Sequence, residues 1–164
     1  MPRVVVWLGP KGVGKSFLGR LAEEHFGIRF LDVEAIFLGL PEDRRGGYDG
    51  YAQVEEAVGR AHRSGTSVSL ELTGASPHTG RLLDHLCSRY GVDVVRVEAP
   101  LDLCLQRIQE RDASRHLPVG EDIIRKVYEV ATSSEFEADL HIHNQGLSEA
   151  ELLTPLRILF QDSD

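Results

Sequence analysis

The sequence predicts an α/β three-layer sandwich with a five-stranded parallel sheet, and three observations point to that class. Short apolar runs alternate with helical periodicity from end to end. The first run leads straight into Gly9-x-x-x-x-Gly14-Lys15-Ser16, a phosphate-loop pattern set between a strand and a helix. Gly and Pro are dispersed, so no linker divides the 164 residues, and 41% hydrophobic content is enough to bury a core. One domain, 1–164, is expected.

The elements follow in order. Arg3 to Leu8 is an apolar strand. Phe17, Leu18, Leu21, Ala22 and Phe26 recur at helical spacing, and Gly27 stops that helix. Ile28 to Val33 reads as a second strand that carries Asp32 near its end. Leu38 to Gly50, with Pro41, Gly46, Gly47 and Gly50, reads as a loop, and Tyr51 to Ser64 as a helix with Val54, Ala57, Val58 and Ala61 inward. Ser67 to Leu72 is a third strand, followed by the turn Thr73 to Pro77 and a helix through Leu82, Leu83, Leu86 and Tyr90. Asp93 to Glu98 is a fourth strand. Pro100 opens a helix with Leu101, Leu105 and Ile108 on one face, which runs into the charged segment Asp112 to Gly120. A helix over Glu121–Thr132, a strand over Ala138–His143 and a helix over Ser148–Phe160 complete the chain, the last opened by the capping box Ser148-x-x-Glu151.

Composition bounds the partners. The net charge of −8 argues against general affinity for nucleic acid or an anionic membrane, so any anion must be bound locally. Lysine occurs only at positions 11, 15 and 126 among the 18 basic residues, which leaves arginine as the general cation. Cys87 and Cys104 both lie inside apolar helical patterns, and no CxxC or disulfide framework is present. No signal-type leader is evident and no apolar run approaches the roughly eighteen residues of a membrane span, so a cytoplasmic protein is expected.

The phosphate loop fixes the chemistry. Gly9, Gly12 and Gly14 let the backbone curl with its N–H groups inward, and Pro10, Lys11 and Val13 complete the cradle; Phe17 follows in the first helical turn. Lys15 would reach the terminal phosphates of ATP, and Ser16 would complete the coordination of Mg²⁺. Ligands sit outside the carboxyl ends of strands in such a sheet, which brings Asp32, Glu34, Glu71, Thr73 and Gly74 to the same place. A carboxylate there accepts a proton from an attacking hydroxyl, holds a Mg²⁺ water or orients a substrate hydroxyl. Asp32 has a plainer alternative as a helix N-cap, and Glu71 as an edge-strand charge. Arg107, Arg111 and Arg115 recur every four residues, so in a continuous helix they share a face and repel until an anion joins them; as solvated arginines they would be offset by Glu110 and Asp112. His116 to Gly120 then forms a hinge-like boundary, and a short lid at about 107–120 is expected. Arg44-Arg45 either favours an anionic substrate or pairs with Glu42 and Asp43. Asp139, His141 and His143 share a strand face, a spacing that suits a metal, although histidines at a sheet margin are commonplace.

Taken together, G-P-K-G-V-G-K-S after the first strand, F-L-D-V-E after the second and R-I-Q-E-R after the fourth resemble the small P-loop kinases of the nucleoside monophosphate kinase and shikimate kinase group. The overlay covers nearly the whole chain. It implies the P-loop nucleoside triphosphate hydrolase fold and transfer of the γ-phosphoryl of ATP, with Mg²⁺, to a small-molecule acceptor. By resemblance to adenylate kinases, Arg107 would lie over the adenine, Arg111 would contact the transferring phosphoryl group and Arg115 would be a lid arginine. By resemblance to shikimate kinases, Asp32 would assist Mg²⁺ and Glu34 would face the acceptor hydroxyl. Asn144 and Gly146 suggest a strand end near the nucleotide base, and Glu71 joins Ser16 and Asp32 as a metal-side group.

The departures concern the acceptor. Adenylate kinases carry Asp-Gly-Phe-Pro-Arg after strand three and shikimate kinases a triple glycine, where this chain has Glu71-Leu72-Thr73-Gly74-Ala75-Ser76. Polynucleotide 5′-hydroxyl kinases have an Arg three residues after the base Asp, where this chain has Ala35. The Asn-Lys-x-Asp of a GTPase and the Asp-Glu strand end of a motor or remodelling ATPase have no full counterpart here. The alternatives to a kinase of small molecules are an ATP-binding regulator or ATPase without a diffusible acceptor, and a nucleic-acid 5′-hydroxyl kinase.

Overall fold

The computed structural model describes residues 1–111 and 119–161. Five strands, β1 (Arg3–Leu8), β2 (Arg29–Leu31), β3 (Val68–Leu72), β4 (Gly91–Glu98) and β5 (Leu140–His143), form one parallel sheet in the order β2-β3-β1-β4-β5. The expected five-stranded sheet is therefore present. β1 lies at its centre, and Val4 to Leu8 are fully buried. The pleat divides them, because alternate side chains point to opposite faces. Val4, Val6 and Leu8 join one core, and Val5 and Trp7 join the other.

The first core is closed by α2 (Val33–Leu38), α3 (Tyr48–Arg63) and α4 (Thr79–Arg89), through residues such as Phe37, Val54, Val58 and Leu86. The second is closed by α1 (Lys15–Phe26), α5 (Leu101–Glu110) and α7 (Glu149–Gln161), through Leu18, Ala22, Cys104 and Leu156. A further helix, α6 (Glu121–Ser133), packs beside α5. The Ser148 and Glu151 capping box forms as expected: Ser148 N–H donates to Glu151 Oε2 at 2.6 Å and Glu151 N–H to Ser148 Oγ at 3.2 Å.

Three stretches differ from the sequence expectation. Strand β2 ends at Leu31 instead of Val33, because Asp32 caps α2 by accepting from Ala35 N–H at 3.0 Å. Val33 and Phe37, four residues apart, bury the inner face of that unexpected helix. The 38–50 loop is shorter than expected, since a 3₁₀ turn spans Glu42–Arg44 and α3 starts at Tyr48 with Gly50 inside it. A Cβ at Gly50 would meet the Phe37 ring at 2.8 Å, so tertiary packing there overrides the poor helix propensity of glycine. Finally, α5 stops at Glu110, and Arg111 is extended at φ −84°, ψ 157°. Arg107 and Arg111 consequently do not continue one helical face. The acidic Glu110 at the negative end of the helix dipole disfavours a further turn. Arg115 and most of the expected lid lie outside the described residues.

Candidate active site

The phosphate loop joins β1 to α1 and is braced from behind. Gly12 (φ 84°) and Gly14 (φ 100°) adopt the left-handed conformation, and each leaves no space for a side chain: a Cβ would lie 2.5 Å from the Cys104 carbonyl and 2.4 Å from Asn144 Nδ2, respectively. Asn144 Nδ2 donates to the Val13 carbonyl at 2.8 Å. Arg107 donates to the carbonyls of Gly12 (3.2 Å), Val13 (3.3 Å) and Asn144 (2.8 Å). These bonds engage the loop carbonyls of Gly12 and Val13. Asn144 is buried and, unlike Arg107, is not part of the cavity wall, so its observed contact is with the loop. Gly9, Pro10 and Val13 are likewise buried behind the cradle.

Lys15 begins α1 and is folded onto the loop, its Nζ donating to the carbonyls of Gly9 and Pro10 at 2.7 Å each. Burial lowers its pKa from 10.5 to about 8, against the opposing pull of Glu71. Ser16 Oγ donates to Glu71 Oε2 at 2.8 Å. Glu71 is buried in β3, between β2 and β1, which excludes the edge-strand surface charge. Burial pushes its carboxyl up, and Lys15 and the Ser16 hydrogen bond hold it down.

A cavity of about 660 Å³ opens over the loop. Lys11, Gly12, Gly14, Lys15, Ser16 and Phe17 line one end, with Arg20, Arg107 and Arg111. Asp32, Glu34 and Glu71 line the end below β2 and β3, together with Thr73, Ser76, Phe37 and Tyr51. Lys11 Nζ lies 3.6 Å from Glu34 Oε2 and ties the two ends together. The structure thus gathers the predicted Lys15, Ser16, Asp32, Glu34, Glu71, Arg107 and Arg111 around one space, while Arg115 lies outside the described residues. Arg44 and Arg45 are not in the wall: Arg44 pairs with Asp49 at 2.7 Å, and Arg45 donates to the Leu40 and Leu38 carbonyls at 3.0 and 3.3 Å.

Sequence reasoning missed Phe37 and Tyr51, whose rings lie 5.4 Å apart. The i, i+4 spacing of Val33 and Phe37 was the available signal. The metal reading of the last strand finds no support among the described residues. Asp139 accepts from Val94 N–H at 2.7 Å, His143 sits 3.2 Å from Glu98, and no group of three or more His, Cys, Asp or Glu is disposed to hold an ion.

The fold is shared with solved small kinases, as the sequence resemblance implied. A sugar kinase from Janibacter sp. HTCC2649 superposes with a TM-score of 0.74 at 13% identity, over 99% of this chain and 96% of that one. Shikimate kinase from Acinetobacter baumannii, in complex with shikimate, gives 0.68 at 24% identity over 99% and 96%. The Mycobacterium tuberculosis APS kinase CysC, in complex with AMPPNP and APS, gives 0.69 at 17% over 96% and 97%. No curated protein sequence matches the chain. Residues 4–133, from β1 through α6 and including every cavity-lining residue named above, match the family described as AAA domain, and the chain is a member of that family.

Proposed function

We propose that this protein is an ATP-dependent phosphotransferase that moves the γ-phosphoryl group to a small-molecule acceptor. One observation carries the reading: the cavity does not end at the phosphate loop but continues past it to carboxylates and aromatic walls, the place this reading gives the acceptor. The likeness of fold to sugar, shikimate and APS kinases supports it.

In this reading Lys15 leaves the Gly9 and Pro10 carbonyls for the terminal phosphates, the loop N–H groups hold the remaining oxygens, and Phe17, Arg107 and Arg111 bound the nucleotide. Ser16 and Glu71 suit Mg²⁺, since a hydroxyl and a buried carboxylate with a raised pKa are hard oxygen donors that a cation would relieve; Asp32 stands beside them as a further partner through water. When bound, Mg²⁺ supplies charge neutralisation at the phosphates. Glu34 is held by the Lys11 ammonium and Glu71 by Ser16, whereas Asp32 is engaged only through its Oδ1 cap among the described residues, so this reading gives Asp32 the proton of the acceptor hydroxyl. That hydroxyl oxygen forms a bond to the γ-phosphorus, the bond from phosphorus to the β,γ-bridging oxygen breaks, and ADP departs with the electron pair. Catalysis is mostly positioning and charge neutralisation.

Among the described residues no helix is long and apolar enough to cross a membrane. Two free cysteines, Cys87 and Cys104, suit a reducing cytoplasm. The net charge of −8 disfavours a nucleic-acid acceptor. Steady-state ADP release with and without a panel of hydroxylated metabolites tests the proposal. Acceptor-stimulated release with a phosphorylated product is expected; tight ATP binding with no stimulation by any acceptor would favour the regulatory reading.

A further inference from the structure

On the kinase reading above, we infer that the acceptor is a hydroxylated molecule without an anionic group, which lays an apolar or ring face against Phe37 and Tyr51. The sheet order separates the two ends of the cavity. The phosphate loop follows central β1, Arg107 and Arg111 approach from the β4 side, and the acceptor end lies outside β2 and β3.

Recognition of a carboxylate, sulfate or phosphate on the acceptor calls for an arginine fork or comparable donor set facing it. The two arginines on the acceptor loop do not supply one. Arg44 is engaged by Asp49, and Arg45 closes the carbonyls at the end of α2. Of the cations lining the cavity among the described residues, Lys11 and Lys15 belong to the phosphate loop, Arg107 and Arg111 to the α5 side, and the exposed Arg20 to α1. The acceptor end instead presents three carboxylates: Glu34 is engaged by Lys11 and Glu71 by Ser16, and Asp32, which caps α2, disfavours an anion beside it and suits a hydroxyl donor or an amine.

The aromatic part of that wall is fixed. Phe37 and Tyr51 are almost fully buried, their rings are packed 5.4 Å apart, and His78 lies 5.4 Å behind Tyr51. Such faces accept a ring, an aliphatic surface or a cation, and they gain nothing from an anion. Thr73 and Ser76 add hydroxyls at the same end.

The test uses matched pairs of alcohols on one carbon skeleton, a neutral polyol or amino alcohol against the corresponding carboxylate or phosphate ester. ADP release by the full chain with Mg²⁺ and ATP is followed, and products are identified by mass. The neutral or amine members are expected to exceed their anionic counterparts in kcat/KM by about ten-fold or more. Phe37→Leu and Gly50→Ala, the latter pressing a methyl into the Phe37 ring, should each lower kcat/KM for the preferred acceptor while the Kd of AMPPNP stays unchanged. Equal or better turnover of the anionic members overturns the inference and leaves the kinase reading standing. AMPPNP binding with no acceptor-stimulated ADP release by any member removes the kinase reading itself, and the inference with it.

Discussion

At the phosphate-loop end of the cavity the wall is backbone held by side chains; at the β2 and β3 end it is side chains held by one another. Asn144 and Arg107 fasten the carbonyls of Gly12 and Val13, and at Gly12 and Gly14 even a methyl group would collide. That rigidity suits a ligand whose phosphates are the same in every turnover. The acceptor end is assembled from α2, the start of α3 and the segment after β3, with Phe37 packed over Gly50 and Tyr51. Such a surface changes with a few substitutions and leaves the phosphate cradle alone. On the kinase reading, nucleotide binding and acceptor choice are therefore separable, joined through the Lys11–Glu34 and Ser16–Glu71 contacts.

Mutations at the two ends test that separation. The largest effect is expected for Lys15→Ala, which deletes the buried cation of the loop: turnover should fall by about 10³-fold or more, with AMPPNP affinity falling as well. Retained turnover in this variant would break the comparison at its root. At the other end, Asp32→Asn should lower kcat by about 10²–10⁴-fold, the range for a lost general base. AMPPNP Kd and Tm should hold, because Asn caps α2 as well as Asp does. A drop in nucleotide affinity equal to that of Lys15→Ala would mean the two ends act as one.

The protonation of Lys15 sharpens the picture. Its pKa is about 8 in the free protein, and bound phosphates favour the charged form and raise it. A group whose pKa rises on binding contributes affinity that is fully present below its free-state value and is lost as pH rises through it. The Kd of AMPPNP should therefore be level below pH 8 and then climb, by up to about ten-fold per pH unit. Lys15→Arg should flatten that rise, as arginine stays charged. Calorimetry in buffers of different ionisation enthalpy should show proton uptake at pH 9, and a flat profile would contradict the assignment. The smallest effect is expected for Asn144→Ala, which leaves the Val13 carbonyl without its donor. Loss of about 1 kcal/mol of stability and about five-fold in AMPPNP affinity is expected, with acceptor KM unchanged.

The sheet, the phosphate loop and the carboxyl-end positions of Asp32 and Glu71 were legible in the sequence, because each rests on local signals: short apolar runs, a contiguous motif from Gly9 to Ser16, and strand ends. Only the tertiary structure decided what depends on residues far apart in the chain. Asn144 braces a loop 131 positions away. Gly50 enters a helix because Phe37 needs its space. The Arg96 guanidinium in Val-Arg-Val of β4 is buried and donates to the carbonyls of Ala131, Ser134 and Phe136, fixing the end of α6 to the sheet. Arg44 and Arg45 read either as an anion site or as partners of Glu42 and Asp43, and the fold gives them Asp49 and the carbonyls at the end of α2 instead. A side chain's chemistry is written in its residue type, but whether that chemistry faces a ligand is set by which groups reach it first, and those partners come from elsewhere in the fold.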